Sequence, residues 1–193
     1  AKEVCNEFKV INSIFLETRT KPLEQLSHYD IQNKQQEFPI TIVCDAIRTP
    51  ENIGMCFRIA ESFGVKKIYF HEDSPSIENR IVKKTARNTV SQIKHAVYKD
   101  FREIIPQLKA EGNTIIGIEI TDKSIKIQDF DFKINEKIVL LLGSERNGIE
   151  NINLVDKTIA IPMYGRNSSM NVIHSLAITL YEVTNQLSHP DLP

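Results

Sequence analysis

At 193 residues the chain has room for one domain, or one domain with a short extension, and for a substantial buried core. Hydrophobic content of 41% and charged content of 25% are those of an ordinary globular protein, and a formal net charge of −1 excludes a chain that coats nucleic acid by overall basicity, though not one with a local basic face. No apolar run approaches the ~20 residues of a membrane span, and the charged first residues hold no apolar signal-peptide core, so the expected location is cytoplasmic.

Val4, Phe8, Ile11 and Phe15 recur at steps of four, three and four, which predicts a helix over residues 2–18 that Lys21-Pro22 breaks. Residues 23–36 are polar, with Leu23, Leu26 and Ile31 as their few anchors, and read as a weaker helix and a linker. Residues 1–38 are thus expected to form a helical extension and residues 39–193 the main domain. Ile40–Cys44 is a β-rich run. Thr49-Pro50-Glu51-Asn52 then opens a helix that Thr49 or Asn52 can cap, and Ile53–Phe63 is apolar on most sides, so that helix should be buried until Gly64 ends it. Lys67–Phe70 is the next strand, residues 77–87 a basic helix, and His95–Lys99 a strand. Asp100 caps a helix that Gly112 closes. Thr114–Ile120, Lys137–Leu142 and Thr158–Ile161 are strands. Asn171 to about Leu187 is the final helix, with Leu176, Leu180, Val183 and Leu187 on one face.

Strands alternating with helices predict an α/β fold, a mainly parallel sheet covered by helices on both faces. Ligands of such sheets sit beyond the carboxyl ends of the strands, which brings three loops together: 45–52, 143–149 and 161–171. In the first, Gly54 would admit a close approach to the helix backbone. Arg58 lies among apolar helix positions, where a guanidinium needs a partner or a cleft to face, and its planar fork suits phosphate or carboxylate. The second, Leu142-Gly-Ser-Glu-Arg-Asn-Gly148, is a polar turn framed by two glycines, with Glu145 placed to orient a polar neighbour or to stand in solvent. The third, Ile161-Pro-Met-Tyr-Gly-Arg-Asn-Ser-Ser-Met-Asn-Val172, packs amides and hydroxyls between apolar segments. Ser168, Ser169 or Asn171 can cap the following helix, or the loop can hold a ligand. Neither a Walker A loop nor Gly-x-Gly-x-x-Gly is present, and no Gly-x-Ser-x-Gly elbow or Cys/His pair can be assigned. His174, on the final helix, reads as a packed or surface residue. Cys5, Cys44 and Cys56 form no Cys-x-x-Cys pair, which points to free thiols in a reducing compartment and to no metal.

Together the three loops resemble the three motifs of the SpoU (TrmH-like) RNA ribose 2′-O-methyltransferases of the SPOUT class. The residues that carry the resemblance are Asn52-Ile-Gly54 with Arg58, Ala60 and Phe63-Gly64; Leu142–Gly148; and Ile161-Pro-Met163 with Gly165 and Ser169-Met-Asn-Val172. The resemblance covers about residues 40–190. It implies a deep trefoil knot at the C-terminal end of the sheet, S-adenosylmethionine bound there, a homodimer, and a ribose 2′-hydroxyl of tRNA or rRNA as the methyl acceptor. A non-catalytic knotted dimer that holds RNA or cofactor is the alternative. Matched by position, Gly143, Ile161 and Ser169 are cofactor contacts, joined by Ile118 and Met170. Arg58 matches the catalytic arginine, as base or as phosphate clamp, and Asn52, Glu145, Ser169 and Asn171 match the polar set around it.

A basic stretch adds to this. Residues 79–94 carry Arg80, Lys83, Lys84, Arg87 and Lys94 with no acid between Glu78 and Asp100. It is either a solvated helix face or, with Arg58, an RNA footprint that an overall charge of −1 does not supply.

Overall fold

A computed structural model describes residues 23–27, 30–31, 35–132 and 136–188. The chain divides into two units, Ala1–Lys34 and Gln35–Pro193. In the first, the expected helix over 2–18 lies outside the described residues, and residues 23–27 form no helix. A short polar segment with so few apolar anchors cannot offset the cost of nucleating one.

The second unit is built on seven strands: β1 (Phe38–Cys44), β2 (Val65–His71), β3 (Lys94–Tyr98), β4 (Asn113–Ile118), β5 (Ile125–Lys126), β6 (Lys137–Leu142) and β7 (Lys157–Ala160). Among the described residues, four α-helices accompany them: α1 (Pro50–Ser62), α2 (Arg80–Ala86), α3 (Phe101–Ala110) and α4 (Val172–Ser188). The strands run in the order β3-β2-β1-β6-β4-β7-β5, and every pairing is parallel. Two-residue periodicity divides the core. Ile40, Ile42, Cys44, Ile138, Leu140 and Leu142 pack on the side of α1 and α4, while Val43, Val139 and Leu141 pack on the side of α3 with Ile104, Ile105 and Leu108. This is why Ile138–Leu142 is an unbroken apolar run: β6 is central and buried on both faces.

Helix α4 turns Leu176, Leu180 and Val183, each 0% exposed, into the first layer. Asp100 caps α3 by accepting from the Arg102 N–H at 2.7 Å. Gly54 admits the expected close approach to the helix backbone. A Cβ there would stand 2.7 Å from Thr85 Cβ and 2.8 Å from the Val82 carbonyl oxygen, so the close approach it permits is that of α2, not of a ligand. The fourth strand ends at Ile118 rather than Ile120, which leaves Glu119 in the loop that follows. Among the described residues, no helix is long and apolar enough to cross a membrane.

The strand ends are level. Cys44 and Ile118 both lie beside Leu142 in the ladder, and Ile118 also pairs with Ile159. The segments after β1, β4, β6 and β7 therefore leave the sheet at one height, side by side.

Candidate active site

Glu145 lies just beyond β6, and its carboxylate faces the start of α1. It accepts hydrogen bonds from the Arg48 N–H (3.2 Å), the Thr49 N–H (3.2 Å) and the Asn52 side-chain amide (3.0 Å). Thr49 is the N-cap residue of α1, but its own side chain makes no capping bond. The expected cap by Thr49 or Asn52 is replaced by a carboxylate 96 residues away from Thr49. An anion at a helix N-terminus satisfies free N–H groups and meets the favourable end of the helix dipole. Burial pushes the Glu145 carboxyl up, but the hydrogen bonds from its own N–H, Asn52, Arg48 and Thr49 outweigh it and hold the group below its usual 4.5.

Asn171 supplies the third loop. Its side-chain oxygen accepts from the Ile173 N–H at 2.8 Å and so starts α4. Its amide nitrogen donates to the Asn52 side-chain oxygen at 3.2 Å. The capping and the site-forming uses of this loop are thus two ends of one amide. Asn171, Asn52 and Glu145 form a continuous chain through all three loops.

Beside this chain is a cleft of about 330 Å³. All five expected cofactor contacts, Ile118, Gly143, Ile161, Ser169 and Met170, line it, as do Glu145 and Asn171. Its walls alternate in character: apolar at Ile118, Ile161 and Met170, polar along the 143–149 turn and the Ser169 side. Within that turn, Ser144 and Gly148 exchange backbone hydrogen bonds at 3.0 and 3.2 Å. A Cβ on Gly143 would stand 2.6 Å from the Ile149 nitrogen, so the turn closes only over a glycine.

Arg58 does not line the cleft. It lies six residues beyond Asn52 on α1, about 9 Å further along the axis and roughly 120° around it. Arg58 is half-buried as a residue, and among the described residues its side chain makes no hydrogen bond or ion pair. Arg80, Lys83, Lys84 and Arg87 are exposed on and just after α2, whose Val82 and Ala86 are buried. Lys83 is paired with Glu78 at 2.5 Å, which leaves the other three to carry the positive surface. Cys44 and Cys56 are buried free thiols whose sulfurs stand 3.9 Å apart. His174 is exposed.

Two side chains at this edge escaped the sequence reading. Glu119 lines the cleft, and its signal was an acid immediately after the apolar run Ile115–Ile118. Asp45 is 8% exposed directly after β1, and one of its carboxylate oxygens has no partner among the described residues.

The chain is similar to known proteins in both sequence and fold. The chain is 27% identical over 169 residues to the 23S rRNA (guanosine-2'-O-)-methyltransferase RlmB of Acinetobacter baylyi, a match that spans 86% of this chain and 65% of the relative. It is 26% identical over 149 residues to the tRNA (guanosine(18)-2'-O)-methyltransferase of Escherichia coli, spanning 76% of this chain and 63% of the relative. The chain thus spans just under two thirds of the length of these relatives. The fold matches the A. aeolicus TrmH/SpoU tRNA modifying enzyme with a TM-score of 0.72 at 21% identity, over 81% of this chain and 79% of that one. It also matches the AdoMet-bound rRNA methyltransferase from Sinorhizobium meliloti with a TM-score of 0.72 at 24% identity, over 79% of this chain and 58% of that one. The model of the SpoU rRNA Methylase family covers residues 39–181, and the chain belongs to that family.

Proposed function

We propose that the chain is an S-adenosylmethionine-dependent RNA methyltransferase acting on a ribose 2′-hydroxyl of tRNA or rRNA. The observation that carries this reading is the Asn171–Asn52–Glu145 chain beside a cleft of mixed polarity, which gathers the three motif loops at one sheet edge. Both relatives named above are 2'-O-methyltransferases of RNA by name.

The donor set fits the cofactor. Ile118, Ile161 and Met170 offer flat apolar surface for the faces of an adenine, and the glycine-framed turn brings main-chain groups within reach of its edge. When bound there, S-adenosylmethionine supplies an electrophilic methyl group. The remaining work is that of the chain: to hold a ribose hydroxyl in line with that carbon and to ease loss of its proton. Glu145 is ill suited to take the proton, because its carboxylate is held ionised by several donors. Its role is to fix Asn52 and, through it, Asn171. Ser169 and Asn171 border the cleft where polar groups of substrate would enter. Arg58 is a guanidinium and a poor base. We assign it the substrate phosphate and the positive field that lowers the hydroxyl pKa, with Arg80, Lys84 and Arg87 as further phosphate contacts.

The same reading treats residues 1–38 as an extension and 39–193 as a knotted SPOUT domain, working as a cytoplasmic homodimer. The placement of β6 between β1 and β4, both earlier in the chain, supports a threaded C-terminal segment. Ile178 and Tyr181, exposed on α4, offer apolar surface to a second copy.

Labelled S-adenosylmethionine with total RNA, followed by mapping of the modified nucleotide, is the test. The expected result is label on a ribose 2′-oxygen. Arg58→Ala should lower kcat/KM by about 100-fold or more (roughly 2.7 kcal/mol) with an unchanged unfolding midpoint. Cofactor binding without any transfer to tRNA or rRNA would favour the non-catalytic dimer.

A further inference from the structure

In the sheet, β6 is flanked by β1 and β4, and the three strands end level at Cys44, Leu142 and Ile118. The residue after each flanking strand is a carboxylate: Asp45 on one side, Glu119 on the other. Asp45 is bonded to the end of β6, and Glu119 to the loop that follows it. The Asp45 N–H donates to the Leu142 carbonyl, at the end of β6, at 2.8 Å. Glu119 does more. One carboxylate oxygen accepts from the Ile120 N–H at 2.9 Å and the other from the Ile149 N–H at 3.2 Å. Its main chain is bound as well: its N–H donates to the Ile159 carbonyl at 3.1 Å, and its carbonyl accepts from Ser124 Oγ at 2.7 Å. Thus Glu119 ties the end of β4, β7 and the 143–149 loop together at the wall of the cleft. Gly148 fits the same contact. It has φ +65°, and a Cβ there would collide with a Glu119 carboxylate oxygen. A loop that must present Gly143 and Ser144 to a ligand gains from having its far end tethered, because ordering it beforehand removes that cost from binding.

We propose that Glu119 is a positioning residue that clamps the Gly143–Ile149 loop to the end of β4 and so sets the affinity of the cleft for S-adenosylmethionine. The affinity half of this rests on the cofactor reading above; the clamp itself does not. The requirement is reach. A glutamine keeps the length and one acceptor for the Ile149 N–H, whereas an aspartate keeps the charge but is one methylene short.

The test compares wild type with Glu119→Ala, Glu119→Gln and Glu119→Asp. Calorimetry with S-adenosylhomocysteine measures affinity, and hydrogen–deuterium exchange follows the peptide 143–150. In Glu119→Ala and Glu119→Asp, the Kd should rise at least tenfold, and exchange at Ile149 should accelerate. Glu119→Gln should stay within about threefold of wild type. In steady state, the KM for S-adenosylmethionine should follow Kd while kcat at saturation stays within about twofold, a split that loss of folded protein would not produce. Unchanged exchange at Ile149 in Glu119→Ala overturns the clamp. So does an affinity that Glu119→Asp keeps and Glu119→Gln loses, because the carboxylate would then act on the ligand through its charge. If wild type takes up no S-adenosylhomocysteine, the cofactor reading fails, and the exchange experiment still decides the clamp.

Discussion

Asn171 and Glu145 each do with one side chain what two residues usually share. The Asn171 amide caps α4 through its oxygen and reaches Asn52 through its nitrogen. The Glu145 carboxylate caps α1 and orients Asn52. The second pairing has a pH signature. Because the folded-state value of Glu145 lies below its usual 4.5, its hydrogen-bonded carboxylate stabilises the fold fully above that value, and the contribution is lost as pH falls through the lower, folded value. Glu145→Gln should therefore lower the thermal midpoint at neutral pH, and the gap to wild type should close as pH is taken below about 4. A gap that stays constant to pH 3 in a scan of Tm against pH would remove Glu145 from this role. The residue types at these positions were legible in the sequence, since amides and acids crowded next to apolar runs need partners. Their pairings were not, because the bonds span 93 residues from Asn52 to Glu145 and 119 from Asn52 to Asn171.

Among the elements, α1 shows what a motif glycine can be used for. Gly54 sits in Asn52-Ile-Gly54, next to the site, yet the space it leaves is filled by α2. Gly54→Ala would gain about 1 kcal/mol of helix propensity, but its Cβ would meet the Val82 carbonyl oxygen at 2.8 Å and the Ala86 nitrogen at 2.9 Å. Backbone atoms of a packed helix do not yield cheaply, and overpacking costs about 1–3 kcal/mol. The substitution should be net destabilising, seen as a lower urea midpoint with an unchanged slope. The strands and helices themselves were readable wherever burial wrote a period into the chain. Ile138–Leu142 reads as a strand covered on both faces, and Leu176, Leu180 and Val183 as the inner stripe of α4. The two-residue strand β5 has both residues exposed and so leaves no pattern. Glu119 was hidden for a related reason: Ile120 after it is apolar but exposed, and extends the apparent strand past its end.

For the molecule as a whole, the near-neutral charge hides an asymmetry. Arg80, Lys84 and Arg87 stand exposed on one segment, while Lys83 is tied to Glu78. If that segment meets RNA phosphates, Lys84→Gln with Arg87→Gln should flatten the plot of log affinity against log salt by about 0.7 per cation removed on a single-stranded RNA. Fluorescence anisotropy across a salt series measures this, and an unchanged slope would move the RNA footprint elsewhere. The strand order, by contrast, could not be read locally, since placing β6 between β1 and β4 is decided by pairing across the chain. Level strand ends make the site a property of the completed sheet. During synthesis, the segment that becomes β1 emerges long before the one that becomes β6, and the start of α1 has no capping carboxylate until Glu145 follows. The link from Asn52 to Asn171 closes only when the third loop has been made. A nascent or C-terminally cut chain ending before Asn171 would contain all seven strands and the Asn52–Glu145 bond yet lack the last link of the polar chain, so the site is finished only after the sheet is.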